Sequence, residues 1–321
     1  MQHTNLVRAL LAGPGGKTVM TTVQKFQELT GPGDGIVLTV RDDGRGIGGE
    51  WWLAFPPNSA ATPLAIAAVL LLPSPLFVAL VAALLLVGLW EWTRLAGVEG
   101  HPLRLLVVAV HAAAMAALAR YGWPHLFLPI ALAGVLWWLL ALLWLSRFDF
   151  AAAPRRRNRW LKVFAGTLAV IPAWCALALL HAIPEFGPRW TLFAVALVWA
   201  ADTGAYFAGR RFGRKKLAPR ISPAKTWAGV WGGIGASLLL AAAVAPLLGV
   251  AWTALPRLLL LVLLAAVASI VGDLFESLIK RHSGAKDSSA LIPGHGGVLD
   301  RMDSLLAALP VFAVGKVVLG L

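Results

Sequence analysis

The fold is decided by the stretch Leu258-Leu-Leu-Leu-Val-Leu-Leu-Ala-Ala-Val-Ala-Ser-Ile-Val-Gly-Asp-Leu-Phe-Glu-Ser-Leu-Ile-Lys-Arg281. Its first half carries no charge, and roughly 20 predominantly apolar residues are enough for a helix to cross a bilayer. Asp273 and Glu276 follow this apolar run directly. Ionisable side chains beside a bilayer are costly and usually mark a function. The stretch therefore predicts a membrane-spanning helix that ends in a functional site.

Similar apolar runs recur along the chain. Of its 321 residues, 59% are hydrophobic and 13% are charged, and the mean hydropathy is +0.77. Soluble domains carry about 25% charged residues. We therefore predict an all-α polytopic transmembrane protein with about nine helices. Their predicted bounds are 62–73, 76–93, 103–119, 125–146, 160–182, 190–208, 228–248, 257–279 and 304–320.

The basic residues are distributed unequally between the predicted connections. Nineteen Lys and Arg side chains fall on one side of the membrane, and only Arg120, Arg189 and Arg257 fall on the other. Because short cytoplasmic loops carry the excess of Lys and Arg, the basic side and the N-terminus are predicted to be cytoplasmic. The net charge of +13 then reflects topology and attraction to anionic membrane lipids, and we expect no nucleic-acid partner.

Three regions follow from this pattern. Residues 1–60 are polar and lack a span, which predicts a cytoplasmic extension of unknown role. Residues 61–185 are predicted to form the N-terminal transmembrane helices. Residues 186–321 carry the polar motifs and are predicted to form a catalytic region with its active site at the cytoplasmic face. We expect a multi-pass protein of the cell inner (plasma) membrane, and the sequence is compatible with a homodimer.

Two polar motifs lie around the connection between the sixth and seventh predicted helices. Asp202 lies inside an apolar helix, where a carboxylate must face protein, water or a cation. Ser222-Pro223 is typical of a helix start, and the free N–H groups there suit a phosphate. Lys225 adds a positive charge. These residues are candidate substrate contacts, and the alternatives are a helix–helix hydrogen bond for Asp202 and a plain capped helix start.

Two pairs of carboxylates flank a glycine-rich loop near the end of the chain. Asp273 and Glu276 are three residues apart and therefore share a helix face, which Lys280 continues. Asp300 and Asp303 have the same spacing and are expected to share a face of the next helix. Oxygen ligands without a cysteine cluster favour Mg²⁺ over zinc. We therefore predict that the two pairs converge on a magnesium ion.

The loop between the pairs suits a phosphate ligand. Gly294, Gly296 and Gly297 allow the backbone to approach a ligand closely, and His295 between them is assigned a phosphate-binding or orienting role. Cations and carboxylates alternate around the loop, as expected for a phosphate substrate held with a divalent metal. The further charged candidates here are Lys280, Arg281, Lys286, Asp287 and Arg301.

The loop and its flanks resemble the signature of one enzyme family. Ser277-x₂-Lys-Arg-x₄-Lys-Asp-x₅-Pro-Gly-His-Gly-Gly-x₂-Asp-Arg-x-Asp303 is similar to that of the phosphatidate cytidylyltransferases, or CDP-diacylglycerol synthases. The motifs Ala201-Asp-Thr-Gly-Ala-Tyr-Phe207, Ser222-Pro-x-Lys-Thr-Trp227 and Leu89-Trp-Glu-Trp92 also resemble that family, so the similarity covers residues 62–321. One departure is Ala228, where the family usually has Glu.

The resemblance implies transfer of CMP from CTP to phosphatidic acid, with Mg²⁺ as cofactor. By analogy and by spacing, Asp273 and Asp300 are assigned as metal ligands, with Asp303, Lys280 and Arg301 as further catalytic residues. The other candidates are assigned to substrate binding: Asp202, Ser222, Lys225, Glu276, Arg281, Lys286, Asp287, Gly294, His295, Gly296 and Gly297.

Three alternatives stay open from the residues. The chain could be another membrane cytidylyl- or phosphotransferase, such as a dolichol kinase-like protein. An ion-coupled transporter would use intramembrane acids as an ion site, but it would normally show repeat symmetry and acids at mid-helix. An inactive family member is the third alternative, suggested by Ala228.

Overall fold

A computed structural model describes residues 61–291 and 296–321, and the predicted extension 1–60 lies outside the described residues. Within the described residues the chain forms nine α-helices. They are α1 (Ala61–Leu71), α2 (Ser74–Leu95), α3 (His101–Ala117), α4 (Phe127–Leu145), α5 (Arg156–His181), α6 (Gly187–Phe212), α7 (Trp227–Val244), α8 (Leu255–His282) and α9 (Asp303–Val318).

These bounds confirm the prediction of a nine-helix, all-α protein. Seven helical segments within the described residues are long and apolar enough to cross a membrane, by length and composition. Helices α1 and α9, with 11 and 16 residues, are shorter. Proline lies in the first turn of α2, α3, α6 and α8, where its missing N–H has no intrahelical partner to lose. The apolar runs and these prolines together explain the helix positions.

A short hairpin replaces the helix start predicted at Ser222. Strand β1 (Lys216–Ala218) pairs antiparallel with β2 (Ser222–Thr226), with Lys216 opposite Thr226. Helix α7 begins only at Trp227, and the Thr226 side chain caps it by accepting a hydrogen bond from the Gly229 N–H at 3.1 Å. The prediction of a helix opening at Ser222-Pro223 is wrong, because the capping side chain is Thr226.

Helices α8 and α9 pack closely where the polar segment of α8 begins. A Cβ on Gly272 would lie 2.5 Å from the carbonyl oxygen of Asp303 and 3.0 Å from Cβ of Ala307. Small residues permit such close approach of helices in membranes. One turn further along α8, Phe275 is fully buried and its ring packs against those of Trp92 and Trp138. The close approach of Gly272 to the backbone of Asp303 holds Asp303 beside the carboxylates of α8.

Replacing Gly272 by alanine is expected to destabilise the protein by about 1–3 kcal/mol, the usual cost of overpacking. The added methyl group would have to displace the backbone of α9 at Asp303. The measurement is the thermal unfolding midpoint in detergent. Gly235→Ala on α7 is the matched control, since a Cβ there meets nothing within 4 Å. Equal midpoints for the two variants would contradict the close α8–α9 contact.

Candidate active site

An acidic cluster forms where α8 and α9 meet. Asp273 and Glu276 lie on one face of α8, and both interact electrostatically with Asp303 at the start of α9. The carboxyl groups of Glu276 and Asp303 are within hydrogen-bonding reach of each other. Glu276 is only 1% exposed. Asp202 on α6 interacts with Asp273 as well. The structure thus confirms the predicted face of α8 and brings three helices to one site.

Two lysines compensate the charge of this cluster. Lys280 Nζ lies 2.8 Å from Glu276 Oε2 and 2.8 Å from Asp300 Oδ1, so it links α8 to the turn before α9. Lys225 on β2 forms an ion pair with Asp273 Oδ2. The hairpin therefore has a role in the site, because it brings Lys225 over α8. Each lysine is mostly buried, which strengthens its attraction to the carboxylates.

Asp300 is held by donors from both arms of the glycine-rich loop, that is, from the residues just before the glycines and from those at their end and just after them. Its Oδ2 accepts hydrogen bonds from the N–H groups of Ser288 at 2.9 Å and Gly297 at 2.7 Å. Burial raises the pKa of Asp300, but Lys280 and these two N–H groups outweigh it and lower the pKa to about 2. Hydrogen bonds to the ionised form have this effect. Asp300 is therefore a carboxylate at neutral pH.

Asp300 and Asp303 occupy different elements. Asp300 lies in a 3₁₀ turn (Leu299–Arg301), and α9 begins at Asp303. The prediction that they share a face of one helix is wrong, since the turn separates them. Asp300 contacts Lys280 and the loop, whereas Asp303 contacts Glu276.

The remaining predicted residues that the structure describes have different surroundings. Gly296 has a φ of +80°, and a Cβ there would lie 2.5 Å from Asp300 Oδ2, so the turn requires glycine. Arg281 Nε donates to the carbonyl of Ile221 at 3.1 Å, which ties α8 to the start of the hairpin. Gly294 and His295 lie outside the described residues. Four charged candidates are exposed on the surface: Arg281, Lys286, Asp287 and Arg301. Ser222 lies in β2 and is partly buried.

The carboxylate oxygens of the centre are the kind of ligand that a divalent cation takes. Glu276 Oε1 is buried and has no hydrogen-bond donor in the described part of the chain. Two carboxyl groups in contact, such as those of Glu276 and Asp303, repel unless a proton or a cation lies between them. Within residues 61–291 and 296–321 no three His, Cys, Asp or Glu side chains are arranged as a complete ligand set. The oxygens present fit a hard cation that also takes ligands from water or substrate phosphates, as Mg²⁺ does.

Glu91 is a site-associated residue that the sequence reasoning missed. It is buried near the end of α2, and its carboxylate accepts hydrogen bonds from the N–H groups of Val298 and Leu299 in the loop. The signal was present in the sequence, because a lone carboxylate in an apolar helix calls for a partner. The same argument had identified Asp202.

Taken together, the fold and the site define a polytopic membrane protein with a cation-compensated acidic centre beside a glycine turn. Over residues 59–318 the chain matches the cytidylyltransferase family.

Named relatives narrow the class. The chain is 44% identical over 251 residues to a phosphatidate cytidylyltransferase of Pseudomonas aeruginosa, covering 78% of this chain and 91% of that protein. It is 38% identical over 269 residues to the Haemophilus influenzae enzyme of the same name, covering 78% and 93%. A Brucella suis phosphatidate cytidylyltransferase is 50% identical over 137 residues, or 41% of this chain and 48% of that protein. The chain therefore belongs to the phosphatidate cytidylyltransferase family, a family of nucleotidyltransferase enzymes.

Proposed function

We propose that this chain transfers CMP from CTP to phosphatidate at the cytoplasmic face of the inner membrane, giving CDP-diacylglycerol and pyrophosphate. The observation that carries the proposal is the acidic centre on α6, α8 and α9 with Lys225 and Lys280 bound to it. The family match supports the reaction type. The excess of basic residues in one set of connections supports the cytoplasmic side.

The reaction is a displacement at phosphorus. An oxygen of the lipid phosphate forms a bond to the α-phosphorus of CTP, and the bond from that phosphorus to the bridging oxygen of the pyrophosphate breaks. The attacking phosphate is already ionised, so a protein nucleophile and a strong general base are both unnecessary. The main barrier is the repulsion between two anionic reactants, and fixed cations lower it by stabilising charge in the transition state.

The residues of this chain have distinct roles in that scheme. Lys225 and Lys280 lie where phosphate oxygens would approach the carboxylates, and they supply positive charge. A magnesium ion, when bound, would neutralise phosphate oxygens and align the in-line attack. Asp273 and Asp300 stay the proposed ligand pair, which water or substrate phosphates would complete. Asp303 and Glu276 would orient the pair, and Asp300 also holds Lys280.

The other charged candidates and the lipid chains have places in the same scheme. Arg281, Lys286 and Arg301 would bind the phosphates of CTP, with Asp287 and the glycine turn at the loop. The acyl chains of phosphatidate would stay in the bilayer and enter between helices, since withdrawing a diacyl lipid from the membrane is costly. A homodimer stays a prediction, and cross-linking in native membranes would test it.

The proposal predicts magnesium-dependent transfer. With radiolabelled CTP and phosphatidate in detergent, we expect label in CDP-diacylglycerol in the presence of Mg²⁺ and a rate lower by at least about 100-fold in EDTA, because charge neutralisation is the main catalytic term. CMP transfer is followed with the label in the α-phosphate of CTP. In a parallel reaction dolichol replaces phosphatidate and the label is in the γ-phosphate, the group that a lipid kinase transfers. Label in the dolichol product, or no label in either lipid, would contradict the proposed function.

A further inference from the structure

Glu91 is a buried carboxylate whose acceptor capacity is filled by one loop. It is 3% exposed. Its Oε2 accepts from Ser288 Oγ at 2.9 Å and from the Leu299 N–H at 2.8 Å. Its Oε1 accepts from Ser289 Oγ at 2.5 Å and from the Val298 N–H at 3.1 Å. A carboxylate has about four lone-pair sites. Three of these donors serve Glu91, and the Ser288 hydroxyl, which has one proton and also lies 2.9 Å from Asp300 Oδ2, is shared between the two carboxylates. These donors offset the cost of burying the charge.

The four donors come from both arms of the glycine-rich loop. Ser288 and Ser289 lie before the glycines, and Val298 and Leu299 follow them. Glu91 therefore ties the two arms together from outside the loop. The same arms donate the N–H groups of Ser288 and Gly297 to Asp300. Any movement of the arms that breaks their hydrogen bonds to Glu91 would also move the N–H groups that donate to Asp300.

Other contacts of α2 reinforce this attachment. Arg94, one turn after Glu91, donates to the carbonyl oxygen of Ser288. One turn before Glu91, Gly88 faces Leu299, which is buried. A Cβ on Gly297 would overlap Ser288 Oγ and both carboxylate oxygens of Glu91. One face of α2 is thus fitted to the loop through its backbone and its side chains.

We propose that Glu91 is a positioning residue for cytidylyl transfer, and this inference rests on the proposed function. Glu91 acts through the loop and not on the substrate. By holding Ser288 and the 298–299 segment, it fixes Asp300, and through Asp300 it fixes Lys280 Nζ at 2.8 Å. Loss of such an outer contact typically costs 10–100-fold in activity. The N-terminal helices therefore contribute directly to the order of the catalytic loop.

The test compares Glu91→Gln with the wild-type chain in detergent. Glutamine keeps the size but turns one acceptor oxygen into an NH₂ donor, which must face loop donors. We expect kcat for CMP transfer to fall about 10–100-fold, with the KM for CTP changing less than about threefold, because alignment and not uniform binding is lost. Glu99→Gln is the matched control, since Glu99 is exposed and pairs with Arg159. It is expected to retain wild-type turnover.

A second readout is independent of turnover. Amide hydrogen exchange of the segment 296–302 is expected to speed up in Glu91→Gln, while exchange in α5 and the thermal midpoint stay at wild-type values. Ser289→Ala removes one donor and leaves the carboxylate intact, so it should lower kcat by a few fold in the wild type. It should have little further effect in Glu91→Gln, because contacts in one network are not additive.

The outcomes separate this inference from the proposed function. If the wild-type chain transfers CMP and Glu91→Gln is fully active, the inference about Glu91 is overturned and the proposed function stands. Faster exchange in every helix, with a lowered midpoint, would also overturn it, since Glu91 would then be only a stability residue. If Glu91→Gln does not fold, wild-type kcat in Ser289→Ala would overturn it. A wild-type chain that transfers no CMP would refute the proposed function and the inference together.

Discussion

Asp273→Asn is expected to lower the rate of CMP transfer by about 100- to 1,000-fold, the usual loss when one preorganised electrostatic group is removed from a transition state. Asparagine keeps the shape of the side chain but removes its charge. Asp273 pairs with Lys225 and interacts electrostatically with Asp303 and Asp202, so it connects the hairpin with the carboxylates of α9 and α6. The substitution would therefore weaken cation binding and release Lys225 from its position.

Initial rates with labelled CTP measure this effect. Asp149→Asn is the control, because Asp149 is an exposed carboxylate that forms its ion pair with Arg220, at 3.0 Å. A Lys225→Met variant separates the two causes: if Asp273 only holds Lys225, both single variants and the double variant lose the same activity. Full activity in Asp273→Asn would refute the assignment of this centre as the active site.

The helices could be predicted from the sequence because a bilayer imposes a length. An apolar run such as that in α8 has few alternatives to a helix, since every backbone group must be satisfied internally within hydrocarbon. Proline lies in the first turn of α2, α6 and α8 in the structure, where it is compatible with a helix start. The predicted helix 257–279 and the observed Leu255–His282 differ by only two or three residues at each end.

The hairpin could not be predicted in the same way. Strand β1 has three residues, too few for an alternating pattern to be recognised. Ser222-Pro223 carried the local signal of a helix start, but the pairing of Lys216 with Thr226 overrides it. That pairing depends on residues ten positions apart, and helix periodicity contains no information about it. Lys225 was therefore expected at a helix start, whereas the structure places it on β2, where it pairs with Asp273.

Among the carboxylates, too, some positions could be predicted from the sequence and others could not. Spacing of three placed Asp273 and Glu276 together because α8 is continuous through both. The same spacing failed for Asp300 and Asp303, because Asp300 lies in a 3₁₀ turn that ends before α9 begins at Asp303. Glu91 lies about 200 residues from the loop it binds. Its environment showed that it needed a partner, but only the packing of α2 against the loop shows which partner it has.

Lys280→Met is expected to destabilise the protein by about 3 kcal/mol, the usual cost of removing one partner of a buried ion pair. Lys280 is 13% exposed and lies 2.8 Å from both Glu276 Oε2 and Asp300 Oδ1. Methionine fills a similar volume but leaves two carboxylates without their cation. Since Glu276 is almost fully buried, it is the more costly of the two to leave unpaired.

Thermal unfolding in detergent measures the loss, and Lys215→Met in an exposed loop is the control for removal of a surface lysine. The decisive comparison adds Glu276→Gln to Lys280→Met. Neutralising the unpaired carboxylate should restore part of the stability, with a coupling of about 1–3 kcal/mol between the two sites. Activity should not return with it, because Lys280 would also supply positive charge to the phosphates. Additive losses of stability would mean that Lys280 and Glu276 do not interact, and recovery of activity would mean that Lys280 only neutralises Glu276.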